Sequence, residues 1–241
     1  MTIWDDIAAE RRGIADVLDG LTEDQWQTPS LCGKWTVREL VGHLVVPFKV
    51  SLPAFGLAMA KARGSFHRAN NSLAKAQGRR PTADLIADLR ANAESHFTPP
   101  GQGPLAPLTD NLVHGQDLRI PLGINDPRDP EVWRQSLDFL VSPAARAGFS
   151  SRGAPPVELV ATDLDWHHGE GPQVSGPAYA IGLALTGRPA ALERLAGTGQ
   201  EELTPWMGTG PRPHPLRRTD GARRGRGWSA WCCAGIPRRS G

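Results

Sequence analysis

Apolar residues at the spacing of an α-helix recur through the N-terminal half of the chain, and this pattern constrains the fold more than any other feature. Four stretches show the spacing, and each predicts an amphipathic helix. They begin near Ile3, Val37, Thr82 and Leu105. Four such helices joined by loops pack most simply as a bundle. The sequence therefore predicts a mainly α-helical fold.

Two capping boxes mark where helices begin. In Thr36–Glu39 the threonine side chain is expected to accept the free N–H of Glu39, while the Glu39 carboxylate accepts the N–H of Thr36. The same pattern in Thr22–Gln25 predicts a single helical turn. The Thr36 box introduces an apolar stripe that is interrupted at Pro47 and consists of Val37, Leu40, Val41, Leu44 and Phe48.

The pattern changes after Gly153, where strand-like segments first occur. Strands are predicted over residues 157–163 and 173–175, with a turn at 168–172 between them. Further helices are predicted from Asp129-Pro130, over 177–185 and over 189–195. We therefore expect residues 1–148 to form the helical bundle, 149–209 a small α/β domain, and 210–241 a disordered tail rich in Arg, Gly and Pro.

Charge is distributed unevenly along the chain. Residues 210–241 contain eight arginines and one acidic residue, whereas the whole chain has a net charge of +2, so residues 1–209 carry −5. The body of the protein is therefore mildly acidic, and nucleic acid is not an expected partner for it. Arginines mixed with Trp228 and Trp231 leave single-strand binding by the tail as an alternative.

Several classes of protein are excluded by composition. No apolar run approaches the roughly 18 residues that a membrane-spanning helix needs, so no membrane partner is expected. The first residues are acidic where a signal peptide would be basic. Three cysteines do not make a disulfide framework. These features predict a cytoplasmic protein.

Three residues are candidates for a metal site. Asp110 and His114 are four residues apart on the predicted fourth helix, so their side chains share one face. His43 lies at the edge of the apolar stripe, where an imidazole would need a buried partner. Two histidines and one carboxylate would leave open positions on the ion, as in catalytic sites. The spacing alone leaves open a solvated polar face or a hydrogen-bonded core histidine.

Other polar residues nearby have competing interpretations. Asp117 lies on the same face as His114 and would be suited to orient its ring, but a surface acid at the helix end is the favoured interpretation. Cys32 is interpreted as a small loop residue rather than a nucleophile, because no base is close to it in the sequence. His67 and His96 are expected at the surface.

Four motifs in this order resemble the mycothiol-dependent maleylpyruvate isomerase family, part of the DinB-like superfamily of metal-dependent thiol transferases and isomerases. The first runs from Trp26 through Pro29-Ser-Leu-Cys-Gly-Lys-Trp to Val-Gly-His43-Leu, and the second is Phe66–Ala74. The third is Leu108–Arg119. The fourth combines Val160–Asp163, Trp166, Gly176-Pro-Ala and Leu185-Thr-Gly-Arg188. The similarity covers about residues 1–200.

The resemblance implies a four-helix DinB-like bundle followed by a small sterol-carrier-like α/β domain. It implies that His43, Asp110 and His114 hold a divalent metal ion, usually zinc. Asp110 stands where members of the family typically have the longer glutamate. An arginine of the C-terminal domain contributes to activity in the family, and Arg188 is the nearest match.

The resemblance also implies a reaction class. An open zinc site lowers the pKa of a bound thiol, so that thiolate exists at neutral pH. The expected activity is that of an isomerase or S-transferase that uses mycothiol or a similar small thiol and acts on a small electrophilic substrate. The alternative is a non-catalytic metal-binding or regulatory member of the same fold.

Overall fold

Helices dominate the computed structural model, which describes residues 2–33, 35–125, 128–149 and 152–208. The chain divides into two compact units, of which the first is Met1–Ser136 and the second begins at Leu137. The predicted tail at 210–241 lies outside the described residues, and the domain limit expected between residues 148 and 149 stays a prediction. None of the described helices is both long enough and apolar enough to cross a bilayer.

The four predicted long helices of the first unit are confirmed, as is the predicted single turn between the first two, and two more helices lie between the second and the third. In chain order the helices are α1 (Ile3–Asp19), α2 (Glu23–Trp26), α3 (Val37–Lys49), α4 (Leu52–Lys61), α5 (Phe66–Gly78), α6 (Thr82–Ala91), α7 (Leu105–Arg119) and α8 (Glu131–Val141), the last of which contains the boundary between the units. Helix α4 is not predicted by the sequence pattern, and residues of α5 stand out only as a family motif.

The core of the first unit is formed where α1 and α3 pack against α6 and α7. The apolar faces predicted from the helical spacing meet there, and burial of their side chains stabilises the unit. Fully buried members of this core are Ile7, Ile14, Leu18, Leu40, Leu85, Leu89, Leu108, Leu112 and Leu118. Helix α5 also packs along α3.

Helix α3 begins at the predicted capping box. The Thr36 hydroxyl accepts the backbone N–H of Glu39 at 3.3 Å, and the Glu39 carboxylate accepts the N–H of Thr36 at 3.2 Å. Pro47 interrupts the apolar stripe, but α3 continues to Lys49. A proline this close to the C-terminus removes a single hydrogen bond of the last turns.

Loss of the Thr36 cap should destabilise α3, which carries His43. We expect Thr36→Ala to lower the free energy of unfolding by about 1 kcal/mol, the usual cost of an N-cap hydroxyl. Urea denaturation in the presence of a chelator measures this without a contribution from metal binding. Thr36→Ser keeps the hydroxyl and is the matched control. Equal stability of Thr36→Ala and the wild type would contradict the prediction.

The second unit contains a small mixed sheet. Its strands are β1 (Glu158–Ala161), β2 (His167–His168) and β3 (Gln173–Gly176), in the order β2-β1-β3. Strand β1 pairs antiparallel with β2 and parallel with β3, with Leu159 opposite Val174. The two predicted strands are confirmed. The region is a small α/β unit, as expected.

Three short helical segments follow β3 in the described part of the second unit. Helix α9 (Ala178–Leu185) is the predicted one, and its buried apolar residues pack on β1 and β3. Residues Pro189–Arg194 form a 3-10 helix rather than the predicted α-helix. Helix α10 (Gln200–Gly208) was not predicted, because Pro205 lies inside it and interrupts the sequence pattern of a helix.

Candidate metal centre

The three candidate donors come from two helices that pack against each other. His43 lies on α3 and is 3% exposed, while Asp110 and His114 lie one turn apart on α7. Helix α7 is buried around most of its circumference, so the face that carries Asp110 and His114 lies inside the first unit. His43 precedes Asp110 by 67 residues in the sequence. The packing of α3 against α7 brings the two side chains together.

The donor atoms of these residues face one another. The distance from His43 Nε2 to Asp110 Oδ2 is 3.6 Å, and that from His114 Nε2 to Asp110 Oδ1 is 3.4 Å. One donor atom from each residue lies within 4.8 Å of the other two. His43 Nε2, Asp110 Oδ1 and His114 Nε2 are buried, and among the described residues none has a hydrogen-bond partner.

This arrangement fits a divalent metal ion. Zinc binds imidazole nitrogen and carboxylate oxygen at about 2.0–2.2 Å, so neighbouring tetrahedral ligands are separated by roughly 3.3–3.5 Å. The nitrogen-to-oxygen distances of 3.6 and 3.4 Å are close to that separation. Buried polar atoms without partners are costly, and an ion bound between them would remove that cost. Two imidazoles and a carboxylate are also a donor set that zinc accepts.

The opposite nitrogen of each imidazole has its own partner. His114 Nδ1 lies 2.8 Å from Asp117 Oδ2, and His43 Nδ1 lies 3.1 Å from Asn70 Oδ1. A ring whose Nδ1–H donates to an oxygen keeps the lone pair on Nε2, which is the tautomer that binds a metal ion. Both rings are therefore oriented with Nε2 toward the other donors.

The expectation that Asp117 is a surface acid is wrong. Asp117 is fully buried, and its backbone carbonyl accepts the N–H of Leu31 at 3.0 Å. The loop before α3 thus covers the last turn of α7, where a helix end would otherwise meet water. Periodicity along α7 could not reveal this cover, because the covering residues belong to a distant segment.

Electrostatic interactions within the site are strong in the absence of a metal ion. Burial raises the pKa of Asp110, but His114 and His43 outweigh it and hold that pKa below its usual range. Burial disfavours the charged His114 ring, yet Asp110 and then Asp117 raise the pKa of His114 to about 9. The two carboxylates therefore create a site that favours positive charge, as a bound cation requires.

Two further residues near His43 were not identified from the sequence. Asn70 is buried on α5, and the Trp35 ring lies 5.2 Å from the His43 ring, centre to centre. The Trp35 indole N–H donates to Asn71 Oδ1 at 2.8 Å. The available signal was the helical spacing of Ala69, Asn70, Ala74 and Gly78, which are the buried residues of α5.

The remaining candidates lie in different surroundings. Arg188 belongs to the second unit, where it is buried and donates from Nη1 to the Thr186 carbonyl at 2.7 Å. Cys32 is buried in the first unit, and its sulfur lies within 4.8 Å of a donor atom of His114 and of Asp117. Ionisable groups therefore lie closer to Cys32 than the sequence indicated. His67 and His96 are exposed, as expected.

Comparisons with known proteins find solved structures and a family model that are similar to this chain. A search of curated proteins finds no match. Two solved structures resemble the chain: a mycothiol-dependent maleylpyruvate isomerase, with a TM-score of 0.48, and a histidine-to-alanine mutant of this enzyme, with a TM-score of 0.47. Each is 16% identical and covers 82% of this chain and 96% of its own.

A family model matches a defined segment of the chain. The match to the mycothiol maleylpyruvate isomerase N-terminal domain extends over residues 7–98. This segment contains His43 and Asn70 and runs from α1 through α6. The resemblance seen in the sequence is therefore confirmed for residues 7–98, which match the model of the mycothiol maleylpyruvate isomerase N-terminal domain.

Proposed function

We propose that this protein is a metal-dependent enzyme that uses a small thiol of the mycothiol type, as an isomerase or an S-transferase. The observation that carries the proposal is the convergence of His43, Asp110 and His114, whose facing atoms are buried without hydrogen-bond partners among the described residues. The family of residues 7–98, named for a mycothiol-dependent isomerase, supports the choice of thiol and of reaction class.

In this proposal His43, Asp110 and His114 hold a divalent ion, with zinc as the first candidate. The bound ion would lower the pKa of a thiol, so that the thiolate is available at neutral pH. Asp117 and Asn70 keep Nε2 of each imidazole free of a proton. Three protein donors leave at least one position open on a tetrahedral ion, which the thiol sulfur would occupy.

The charges of the site suit this role. Asp110 and Asp117 together supply two negative charges, which balance those of one divalent ion. This balance between the carboxylates and the ion limits the cost of burying the ion. We further propose, from the resemblance alone, that Arg188 contributes to activity.

A thiol assay separates the proposed activities. We expect protein loaded with zinc to accelerate isomerisation of maleylpyruvate by catalytic mycothiol, or to conjugate mycothiol to an epoxide or aryl halide. An isomerase returns the thiol unchanged, whereas an S-transferase consumes one equivalent for each product. Removal of the ion with a chelator should lower either rate more than about 100-fold, since the thiolate would lose its stabilisation. Addition of zinc should restore the rate.

The controls decide between catalysis and simple metal binding. Free zinc at the same concentration, without protein, measures the background reaction of the thiol. Glutathione in place of mycothiol tests the choice of thiol. Stoichiometric zinc with neither reaction above background would contradict the enzymatic proposal and favour the non-catalytic metal-binding alternative.

A further inference from the structure

The two imidazoles of the candidate site have outer partners of different charge. His114 Nδ1 bonds to the carboxylate of Asp117 at 2.8 Å, whereas His43 Nδ1 bonds to the neutral amide of Asn70 at 3.1 Å. Both partners are buried, with Asp117 fully enclosed and Asn70 only 7% exposed. Solvent therefore does not substitute for either of them.

The position of Asn70 is determined by close packing of α5 on α3. Gly42 of α3 lies against the backbone of Ala74 and Gly78 on α5, so that the two helices approach one another closely beside His43. The His43 ring has the Trp35 ring at 5.2 Å and the His114 ring at 5.0 Å, centre to centre. Asp110 lies beside Nε2 of His43, and the amide of Asn70 lies beside Nδ1.

We propose that Asn70 is a positioning residue for the metal site, which holds His43 in the metal-binding tautomer without adding a negative charge. The inference rests on the proposed metal-dependent function. The amide oxygen accepts the Nδ1–H of His43 and leaves the Nε2 lone pair directed toward Asp110 and His114. If the amide instead donated to Nδ1, the ring proton would sit on Nε2 and would block the metal.

The neutrality of Asn70 matters because the site must accept an anion. Asp110 and Asp117, the carboxylates that face or bond the two imidazoles, would balance the charge of a divalent ion, and Arg11 also interacts with Asp110. A thiolate would add one negative charge to this cluster. An aspartate at position 70 would add another, and repulsion between buried like charges would oppose thiolate binding. Asn70 therefore favours thiolate binding, whereas an aspartate at this position would favour retention of the ion.

Two variants of Asn70 test the two parts of this proposal. Asn70→Ala removes the acceptor, and we expect the Kd for Zn²⁺ to rise about 10–100-fold, the usual effect of losing an outer partner of a metal-binding histidine. Asn70→Asp keeps an acceptor of the same shape, and we expect it to bind Zn²⁺ at least as tightly as the wild type. Ser72→Ala, at an exposed position of the same helix, is the control and should not change the Kd.

The measurements are made on the full chain. Competition with a chromophoric chelator gives the Kd for Zn²⁺, and the visible spectrum of the Co²⁺-loaded protein reports the ligand field at the ion. Titration of the Co²⁺ forms with mycothiol should show thiolate binding to Asn70→Asp at least 10-fold weaker than to the wild type. Thermal unfolding of each metal-free variant shows whether it folds, and Asn70→Asp keeps the test valid if Asn70→Ala does not.

The outcomes separate this inference from the proposed function. Wild-type protein that takes up no metal ion overturns both. The positioning role alone is overturned if the wild type binds one equivalent of zinc and folded Asn70→Ala has an unchanged Kd for Zn²⁺. Folded Asn70→Asp with a Kd as high as that of Asn70→Ala also overturns it, because a hydrogen-bond acceptor would then not be what position 70 supplies.

Discussion

Replacement of His114 by alanine is expected to abolish stoichiometric binding of a divalent metal ion. The change removes one of three protein donors, so affinity should fall by more than the roughly 10–100-fold that loss of an outer partner costs. His43→Ala should have the same effect on the ion. The two variants should differ in stability, because His114 bonds the fully buried Asp117, whereas His43 bonds a neutral amide.

The stability difference follows from breaking a buried charged pair. We expect metal-free His114→Ala to lose about 3 kcal/mol of unfolding free energy, the lower end of the range for removing one partner of a buried ion pair. Metal-free His43→Ala should lose less. Elemental analysis after dialysis gives the metal content, and denaturation in a chelator gives the stability. His67→Ala changes an exposed histidine of the same unit and should retain the ion. Retention of one equivalent by His114→Ala would refute the proposed ligand set.

Gly42→Ala is expected to disrupt the contact between α3 and α5 beside the site. Alanine is favoured over glycine inside a helix by about 1 kcal/mol. A Cβ at position 42, however, would clash with the Ala74 carbonyl oxygen and lie 2.6 Å from the Gly78 backbone nitrogen. Both obstacles are backbone atoms, which no side-chain rotation can move, and overpacking of this kind costs about 3 kcal/mol. The net loss should be about 2 kcal/mol, a fall in Tm of roughly 4–8 °C.

Gly56→Ala provides a matched control for this prediction. Gly56 lies inside α4, and a Cβ there would meet no atom within 4 Å. The gain in helix propensity should then appear by itself, as a stabilisation of about 0.5–1 kcal/mol. Calorimetry or urea denaturation of both variants gives the comparison. The close approach of α3 and α5 would be contradicted if Gly42→Ala were as stable as Gly56→Ala.

Features that depend on interactions between residues close in sequence were predictable from the sequence. The capping boxes at Thr22 and Thr36 connect residues three apart, and both form as predicted. Helices α1, α3, α6 and α7 have apolar faces that point to one core, so their spacing was informative. Helix α5 was missed because its buried residues are small or polar, as Asn70 and Gly78 are, and a hydrophobic pattern does not detect them.

Helix α4 was missed for a different reason. It is mostly apolar, yet no residue in it is buried, and Leu52 is 85% exposed. A helix without a polar face and a buried face lacks the periodicity on which the prediction depends. Asp117 was misjudged in the opposite direction, since its polarity suggested the surface while the loop at Leu31 covers it.

The sequence by itself determined the helical class of the chain, the starts of its capped helices, and the shared face of Asp110 and His114, because each depends on residues within one or two helical turns. Only the tertiary structure decided that His43 faces that pair, that Asp117 is buried, and that Asn70 rather than a carboxylate bonds the second imidazole. Those facts depend on how α3, α5, α7 and the loop before α3 pack together, and packing over such sequence distances leaves no periodic signal in any one segment.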